Sequence, residues 1–306
     1  MIRNYLFHRV HTQRDQLWDP MDPVQFERCI KFITKRHPVA LLEDLVANGP
    51  ISPKDNYATI MFDDGYKDNL DYAAPILAKY KVKASIYVVT DCINRNVLTW
   101  THKLDYNFQH TDKSSIDLRF DFLPEHLRID SLPTREARIE YVRQLKPVLK
   151  RVTHEQRIMV MDIVSQAFDD VQDPGLMMNW NELAQLKAAG FYIGSHTDTH
   201  IMMATTNDEA LIRRELEVPA ACIKEKLGHF PVTISYPVGS YNETTMRLSK
   251  EAGYTIGLAL KQERFYPERD GLFEVPRMEL YNEKWFKTKL RLRNLIERAK
   301  KLAGRK

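Results

Sequence analysis

The sequence contains no uninterrupted apolar run near the roughly 18 residues needed to cross a bilayer, which excludes a spanning helix. Cysteine is scarce: Cys29, Cys92 and Cys222 are odd in number and widely spaced, a usage that suits a reducing cytoplasm. The opening segment, residues 1–9, breaks into charge too early for a signal peptide, so a cytoplasmic protein is expected. No internal repeat or low-complexity segment is visible. Disorder is excluded by what is present, since 306 residues at 43% hydrophobic and 10% aromatic can fill one large core or two modest ones.

The net charge of +4 invites a nucleic-acid reading, but its distribution removes it. Residues 283–306 carry ten Lys and Arg against two Glu, a local +8, which leaves −4 on residues 1–282. A nucleic-acid binder would spread its basic residues over a face of the main body. Here they form a tail, in which Trp285, Phe286, Leu290, Leu292, Ile296, Ala299 and Leu302 fall at approximate helical spacing. Two readings stay open for that basic amphipathic helix. It rests on an anionic leaflet, at the inner face of the cytoplasmic membrane, or it docks on the body with a solvated basic face.

Along residues 1–282, short apolar strands alternate with stretches of helical period, the pattern of an α/β fold. Strands are expected at 58–62, 85–89, 191–194, 232–236 and 254–260, and helices at 69–80, 181–189 and 243–252. Thr206 and Glu209 form a capping-box pattern before a helix running toward Gly228, which Pro219 should kink or divide. From about 94 to 175 the alternation stops, and charged helix-like segments at 135–150 and 154–168 mark a mainly helical insertion. Over a catalytic face such an insertion shapes a cleft or simply stabilises the body.

Two constellations carry chemistry. Asp63 and Asp64 end a buried strand, where adjacent carboxylates are costly unless a cation is near or one keeps its proton. Alone, Asp-Asp-Gly is more readily a solvated turn. His196 and His200, four apart after another strand, can reach one metal. Ten His in this length would give about a third of such a pair by chance. Thr197 stands where a zincin needs Glu, so a base must come from elsewhere. Asp63-Asp64 can supply both a third ligand and the base.

In this arrangement the sequence resembles the polysaccharide deacetylases, the NodB-homology domain of carbohydrate esterase family 4. Residues 60–66, Ile-Met-Phe-Asp-Asp-Gly-Tyr, are similar to the first motif, His196-Thr-Asp-Thr-His200 to the second, and 236–241, Tyr-Pro-Val-Gly-Ser-Tyr, to the third. Motif order and spacing agree over roughly residues 1–282. The resemblance implies a distorted (β/α)7 TIM-like barrel with the 94–175 segment as an expansion. It also implies a divalent metal on Asp64, His196 and His200, with Asp63 as general base toward the attacking water. Two His and one carboxylate suit Zn²⁺ first, while Co²⁺, Ni²⁺ or Fe²⁺ also fit. The oxyanion donor implied is the backbone N–H of Val238.

The departures matter. The third motif often begins with an Arg that orients the base; Ser235 stands there, and Arg277 is the candidate replacement from a late strand. The late motif that carries the acid histidine is missing. Residues 5–10, Tyr-Leu-Phe-His-Arg-Val, resemble the opening of a permuted branch in which the N-terminal His is the acid, which assigns that role to His8. The leaving amine must take a proton for the C–N bond to break. Trp180 resembles a site-adjacent Trp of that branch and is equally a helix-start staple, while Tyr66 and Tyr241 are candidates for stacking on a sugar ring.

The expected activity is metal-dependent removal of N-acetyl groups from an amino sugar of a cell-surface polysaccharide, or of its lipid- or nucleotide-linked precursor. The same machinery acting on another amide, a deformylation for example, is the near alternative. A catalytically silent glycan-binding relative is the distant one. Neither the sugar, the metal nor the oligomeric state can be read from the residues.

Overall fold

The computed structural model describes residues 1–49 and 56–302. Seven parallel strands make the main sheet: β1 (Ile2–Phe7), β2 (Tyr57–Asp64), β3 (Ser85–Val88), β6 (Tyr192–Ser195), β7 (Thr233–Ser235), β8 (Ile256–Leu258) and β9 (Met278–Glu279). Their order across the sheet is β8-β7-β6-β3-β2-β1-β9. The sheet curls on itself, and its seam is bridged where Val275 pairs with Leu258 just before β9 joins β1. This is the expected α/β barrel of (β/α)7 type, distorted at the seam. Two further short strands, β4 (Ser115–Asp117) and β5 (Ile129–Ser131), form a separate antiparallel pair.

Strand alternation explains the two sides of the sheet. Ile60, Phe62, Ile86, Val88 and Ile193 face outward onto a large apolar cluster, with Phe26, Ile30, Leu77 and Leu183 from the surrounding helices. Leu6, Met61, Tyr87 and Leu258 face inward and fill the barrel. Asp63 shares the inward parity of Met61, so its carboxylate is delivered inside the barrel mouth at the C-terminal end of β2. That is where parallel sheets place their chemistry. At the opposite end, Glu43 is buried and accepts hydroxyl hydrogen bonds from Ser85, Tyr87 and Thr233 at 2.8–2.9 Å.

Several local expectations need correction. The helix over 69–80 opens with a π-turn, Asn69–Ala73, because Pro75 has no N–H to donate and the wider turn puts the Ala74 N–H on the Asn69 carbonyl. Thr206 does not cap the long helix. Asp208 does, accepting from the Ala210 and Leu211 N–H groups, and Thr206 accepts from Asp208 N–H one step earlier. Pro219 neither ends nor divides that helix, which runs unbroken over Glu209–Leu227 with the proline buried against the core.

The insertion is helical at Trp100–His110, Arg135–Leu149 and His154–Ala167, and it also holds the β4–β5 pair, which the charged sequence there gave no reason to expect. It has its own apolar cluster, built on Leu104, Phe108, Tyr141, Leu145, Val160 and Phe168. The basic tail forms two short helices, Trp285–Leu292 and Leu295–Leu302, where a single one is expected; Asn294, in the left-handed region at φ 57°, separates them. The first of the two docks on the body: Leu292 is buried, Tyr5 donates to the Leu292 carbonyl at 2.8 Å, and Trp285 packs on Phe32. No helix among the described residues is long and apolar enough to cross a membrane.

Candidate active site

Each site residue arrives from the end of a strand or the turn after it. Asp63 and Asp64 close β2, and the backbone of Asp64 is turned into the left-handed region at φ 75°. After β6 the chain runs through His196 and His200, with Thr197 at φ 68° and His200 at φ 62°. The turn after β7 holds Val238 at φ 57°. Four of the seven non-glycine residues with positive φ among the described residues therefore belong to this one site. Such conformations cost of order 1–3 kcal/mol each and persist where the surrounding structure holds them.

The Asp64 carboxylate is the centre of the arrangement. Its Oδ1 lies 3.5 Å from His196 Nε2 and 3.4 Å from His200 Nε2. One ligand atom from each of the three residues lies within 4.8 Å of the others, and all three side chains are buried. His196 Nδ1 is 2.8 Å from the Ser235 carbonyl oxygen, a contact that requires the proton on Nδ1 and turns Nε2 toward Asp64. Burial pushes the His200 imidazole well below its ordinary pKa, which favours its neutral form. Both Asp64 oxygens are buried without a hydrogen-bond donor. Two lone pairs and an unsatisfied carboxylate converging on one point fit a divalent cation, and an empty meeting of these groups would be expensive.

Asp63 is set differently. Burial by itself pushes its carboxyl up, but the Arg277 guanidinium at 2.8 Å, with His196 nearby, holds it below the usual carboxylate range. Ser235 donates its hydroxyl to both Asp63 oxygens at 3.1–3.2 Å. Asp64 has no such guanidinium, and burial raises it. Two neighbouring carboxylates are thus driven apart, one held as an anion by fixed donors and the other left for a cation.

His8 leaves the end of β1 beside these groups. Asn69 donates to its carbonyl at 2.8 Å, and Asp68 accepts from Arg9 Nε at 2.9 Å and from Val10 N–H, so the chain just after the Asp63-Asp64 turn holds the histidine in place. The His8 ring meets Glu279 at 3.6 Å and the edge of Trp18 at 5.4 Å. His8, Asp63, Asp64, His196, His200, Val238 and Arg277 all line one cavity of about 270 Å³. A second hollow of about 220 Å³ shares His8, Trp18, Glu279 and Tyr281 with it. A larger one, about 680 Å³, lies to the side, and its arginines are occupied by Asp68, Asp19 and Gln109.

Three expected sugar contacts are not brought to this cavity. Tyr66 is fully buried, with its hydroxyl 2.9 Å from His102 Nδ1, so no ring face is left for a sugar. Tyr241 stacks on Tyr236 at 5.0 Å and donates to Glu274. Trp180 begins the helix Trp180–Ala188 and donates to Asn94 at 2.8 Å, away from the cavity. Arg277 is at the site, but its guanidinium is spent on Asp63 and the Ala259 carbonyl rather than turned to a substrate surface. Sequence reasoning missed Trp18, Lys150, Glu279 and Tyr281 in the lining. Only Trp18 left a trace, as an aromatic in the loop ten residues after His8.

The sequence model of the polysaccharide deacetylases matches residues 51–257. No curated protein matches the chain in sequence. Among solved structures the chain is similar to the Streptococcus pyogenes deacetylase PplD in complex with acetate: 15% identity, TM-score 0.61, covering 97% of this chain and 96% of that one. It is also similar to IcaB from Ammonifex degensii, at 16% identity and TM-score 0.60 over 95% and 96% of the two chains. A de-N-acetylase from Aggregatibacter actinomycetemcomitans matches at 15% and TM-score 0.57 over 95% and 99%. At these identities the structural likeness speaks for the fold, while the sequence match spans about two thirds of the chain. The chain belongs to the polysaccharide deacetylase family, hydrolases that act on carbon–nitrogen bonds other than peptide bonds.

Proposed function

We propose that the protein removes N-acetyl groups from an amino sugar of a cell-surface polysaccharide or of its lipid- or nucleotide-linked precursor. The observation that carries this reading is the Asp64 carboxylate, buried with both oxygens free of donors and faced by the Nε2 atoms of His196 and His200. These three residues would hold a divalent metal, Zn²⁺ before Co²⁺, Ni²⁺ or Fe²⁺. When bound, it supplies Lewis acidity toward the acetamide carbonyl and toward water.

The other roles fall to the chain's own groups. Asp63, kept ionised by Arg277 and aligned by the Ser235 hydroxyl, accepts the proton of the attacking water. The Val238 N–H, in the turn that lines the cavity, is the donor for the oxyanion. His8, steadied by Glu279 and Trp18, protonates the leaving amine as the C–N bond breaks, giving acetate and a free amino sugar. Trp18, which lines both hollows, is a better sugar platform than the buried Tyr66. Three free cysteines agree with a reducing cytoplasm. A peripheral seat on an anionic leaflet rests on Phe286, which is 73% exposed between Lys284, Lys287 and Lys289.

The test combines metal content with acetate release. Wild type, Asp64→Ala and His196→Ala are purified side by side and assayed on defined N-acetyl sugars. Stoichiometric metal in wild type only, together with acetate release, supports the reading. A wild-type protein that takes up no metal would point to a silent glycan binder, and a strict preference for formamides would move the activity to deformylation.

A further inference from the structure

We infer that Lys150 is a recognition point for an anionic group of the substrate, a carboxylate or phosphate carried next to the N-acetylated sugar. This rests on the deacetylase reading above and adds a substrate class to it. Lys150 comes from the insertion, at the C-terminal cap of the helix Arg135–Leu149, yet its side chain lines the same cavity as Asp63, Asp64, His196 and His200. The insertion therefore adds a cation to the site itself.

The backbone that carries this lysine is held in place. Arg157, only 2% exposed, donates from Nε to the Leu149 carbonyl at 3.0 Å and from one terminal nitrogen to the Val152 carbonyl and to Thr205 Oγ1, at 3.2 and 3.0 Å. One buried guanidinium thus ties the end of the lysine's helix to the loop that follows His200. The neighbouring charges are already assigned. Lys146, one helical turn earlier, is paired with the fully buried Asp105. Glu279, in the lining of the same cavity, is engaged by His8 and by the Tyr281 hydroxyl and makes no ion pair with Lys150. Asp63 is taken by Arg277. Lys150 Nζ alone makes no hydrogen bond or ion pair among the described residues, although the side chain is mostly withdrawn from solvent.

An ammonium held half-buried with no partner is unfavourable by itself, and an anionic oxygen entering the cavity relieves that cost. A neutral oligosaccharide has nothing of equal strength to offer it. The distance from the reacting centre is set by the cavity, about 270 Å³, so the anionic group must sit on the deacetylated sugar or its immediate neighbour. A uronate carboxylate and a sugar phosphate share this chemistry.

The experiment uses the full chain loaded with metal, as wild type, Lys150→Ala and Lys150→Arg. Three substrates are compared by acetate release: a neutral N-acetylglucosamine oligosaccharide, an N-acetylglucosamine–glucuronate oligosaccharide, and UDP-N-acetylglucosamine. The expected result is a wild-type preference for one of the two anionic substrates, which also tells carboxylate from phosphate. Lys150→Ala should lower the ratio of kcat/KM for that substrate over the neutral one by about tenfold, mainly through KM, and Lys150→Arg should restore most of it. A wild-type preference for the neutral oligosaccharide, or an equal fall on all three substrates, overturns the assignment. If no substrate releases acetate, the deacetylase reading fails, and equilibrium binding of the same three compounds decides Lys150 separately. Binding of an anionic sugar lost in Lys150→Ala supports it, and binding indifferent to Lys150 refutes it.

Discussion

The pair of Arg277 and Asp63 offers the sharpest energetic test of the site. Arg277 is 1% exposed and its guanidinium lies 2.8 Å from Asp63 Oδ1, while Nε donates to the Ala259 carbonyl at 3.2 Å. Replacing it with Met keeps most of the volume and removes the charge. Asp63 is then a buried carboxylate with only the Ser235 hydroxyl to answer it. Breaking a buried pair from one side costs about 3–5 kcal/mol, and the lost bond to Ala259 belongs to the same change. Asp63→Asn alone should also destabilise, by leaving Arg277 as the uncompensated charge. The double variant leaves neither member of the pair as an uncompensated charge, so its loss should fall short of the sum by about 2–3 kcal/mol. Urea unfolding of chelator-treated protein reads this coupling without contributions from metal. The pH profile gives a second reading, because burial alone drives Asp63 upward once Arg277 is gone. The acid limb of kcat/KM in Arg277→Met should therefore move to higher pH. A coupling below about 0.5 kcal/mol, with an unmoved acid limb, would refute the argument that Arg277 sets the base.

Three further outcomes are expected. His8→Ala should retain metal and fold while losing about 10²–10⁴-fold in kcat, measured by acetate release on an N-acetyl sugar; full activity would remove the histidine from the proton transfer. Asp68, which anchors Arg9 and Val10, has its carboxyl lifted by burial from 3.8 to about 6, so the stability it contributes is complete below pH 3.8 and is lost as pH rises through 6. Relative to Asp68→Asn, wild type should weaken by up to ~3 kcal/mol between pH 4 and 7 in denaturant melts, and a constant difference would contradict this. Phe286→Ser should reduce sedimentation with phosphatidylglycerol vesicles and leave the thermal midpoint unchanged, since the ring is exposed; equal vesicle binding would end the membrane proposal.

The chemistry of this protein was legible where it depends on local pattern. A strand ending in Asp-Asp-Gly and a His-Thr-Asp-Thr-His turn after another strand already marked the proposed metal ligands and the proposed base, because residue type and strand-end position are properties of short segments. The strands and helices of the barrel followed from the same local periodicities. The errors came where a side chain's surroundings decide its part. Tyr66 stands in the first motif, yet packing turns its hydroxyl inward to His102; nothing in a Gly-Tyr pair records that. Lys150 ends a charged helix-like segment, and only the docking of the insertion, with Arg157 bonded to Thr205, brings it to the cavity.

Arg277 lies between these cases. Its position in a late strand made it a candidate, but the contact with Asp63 joins residues 214 apart in sequence, and such a meeting exists only once the sheet has curled. The sequence by itself determined the donor types, their places at strand ends and the separation of a basic tail from an acidic body. Tertiary structure decided which carboxylate is held by a guanidinium and which is left without a donor, and which aromatic and which lysine line the cavity. The physical reason is that ionisation and recognition depend on desolvation and on partners a few ångströms away, and those distances are set by packing between segments remote along the chain.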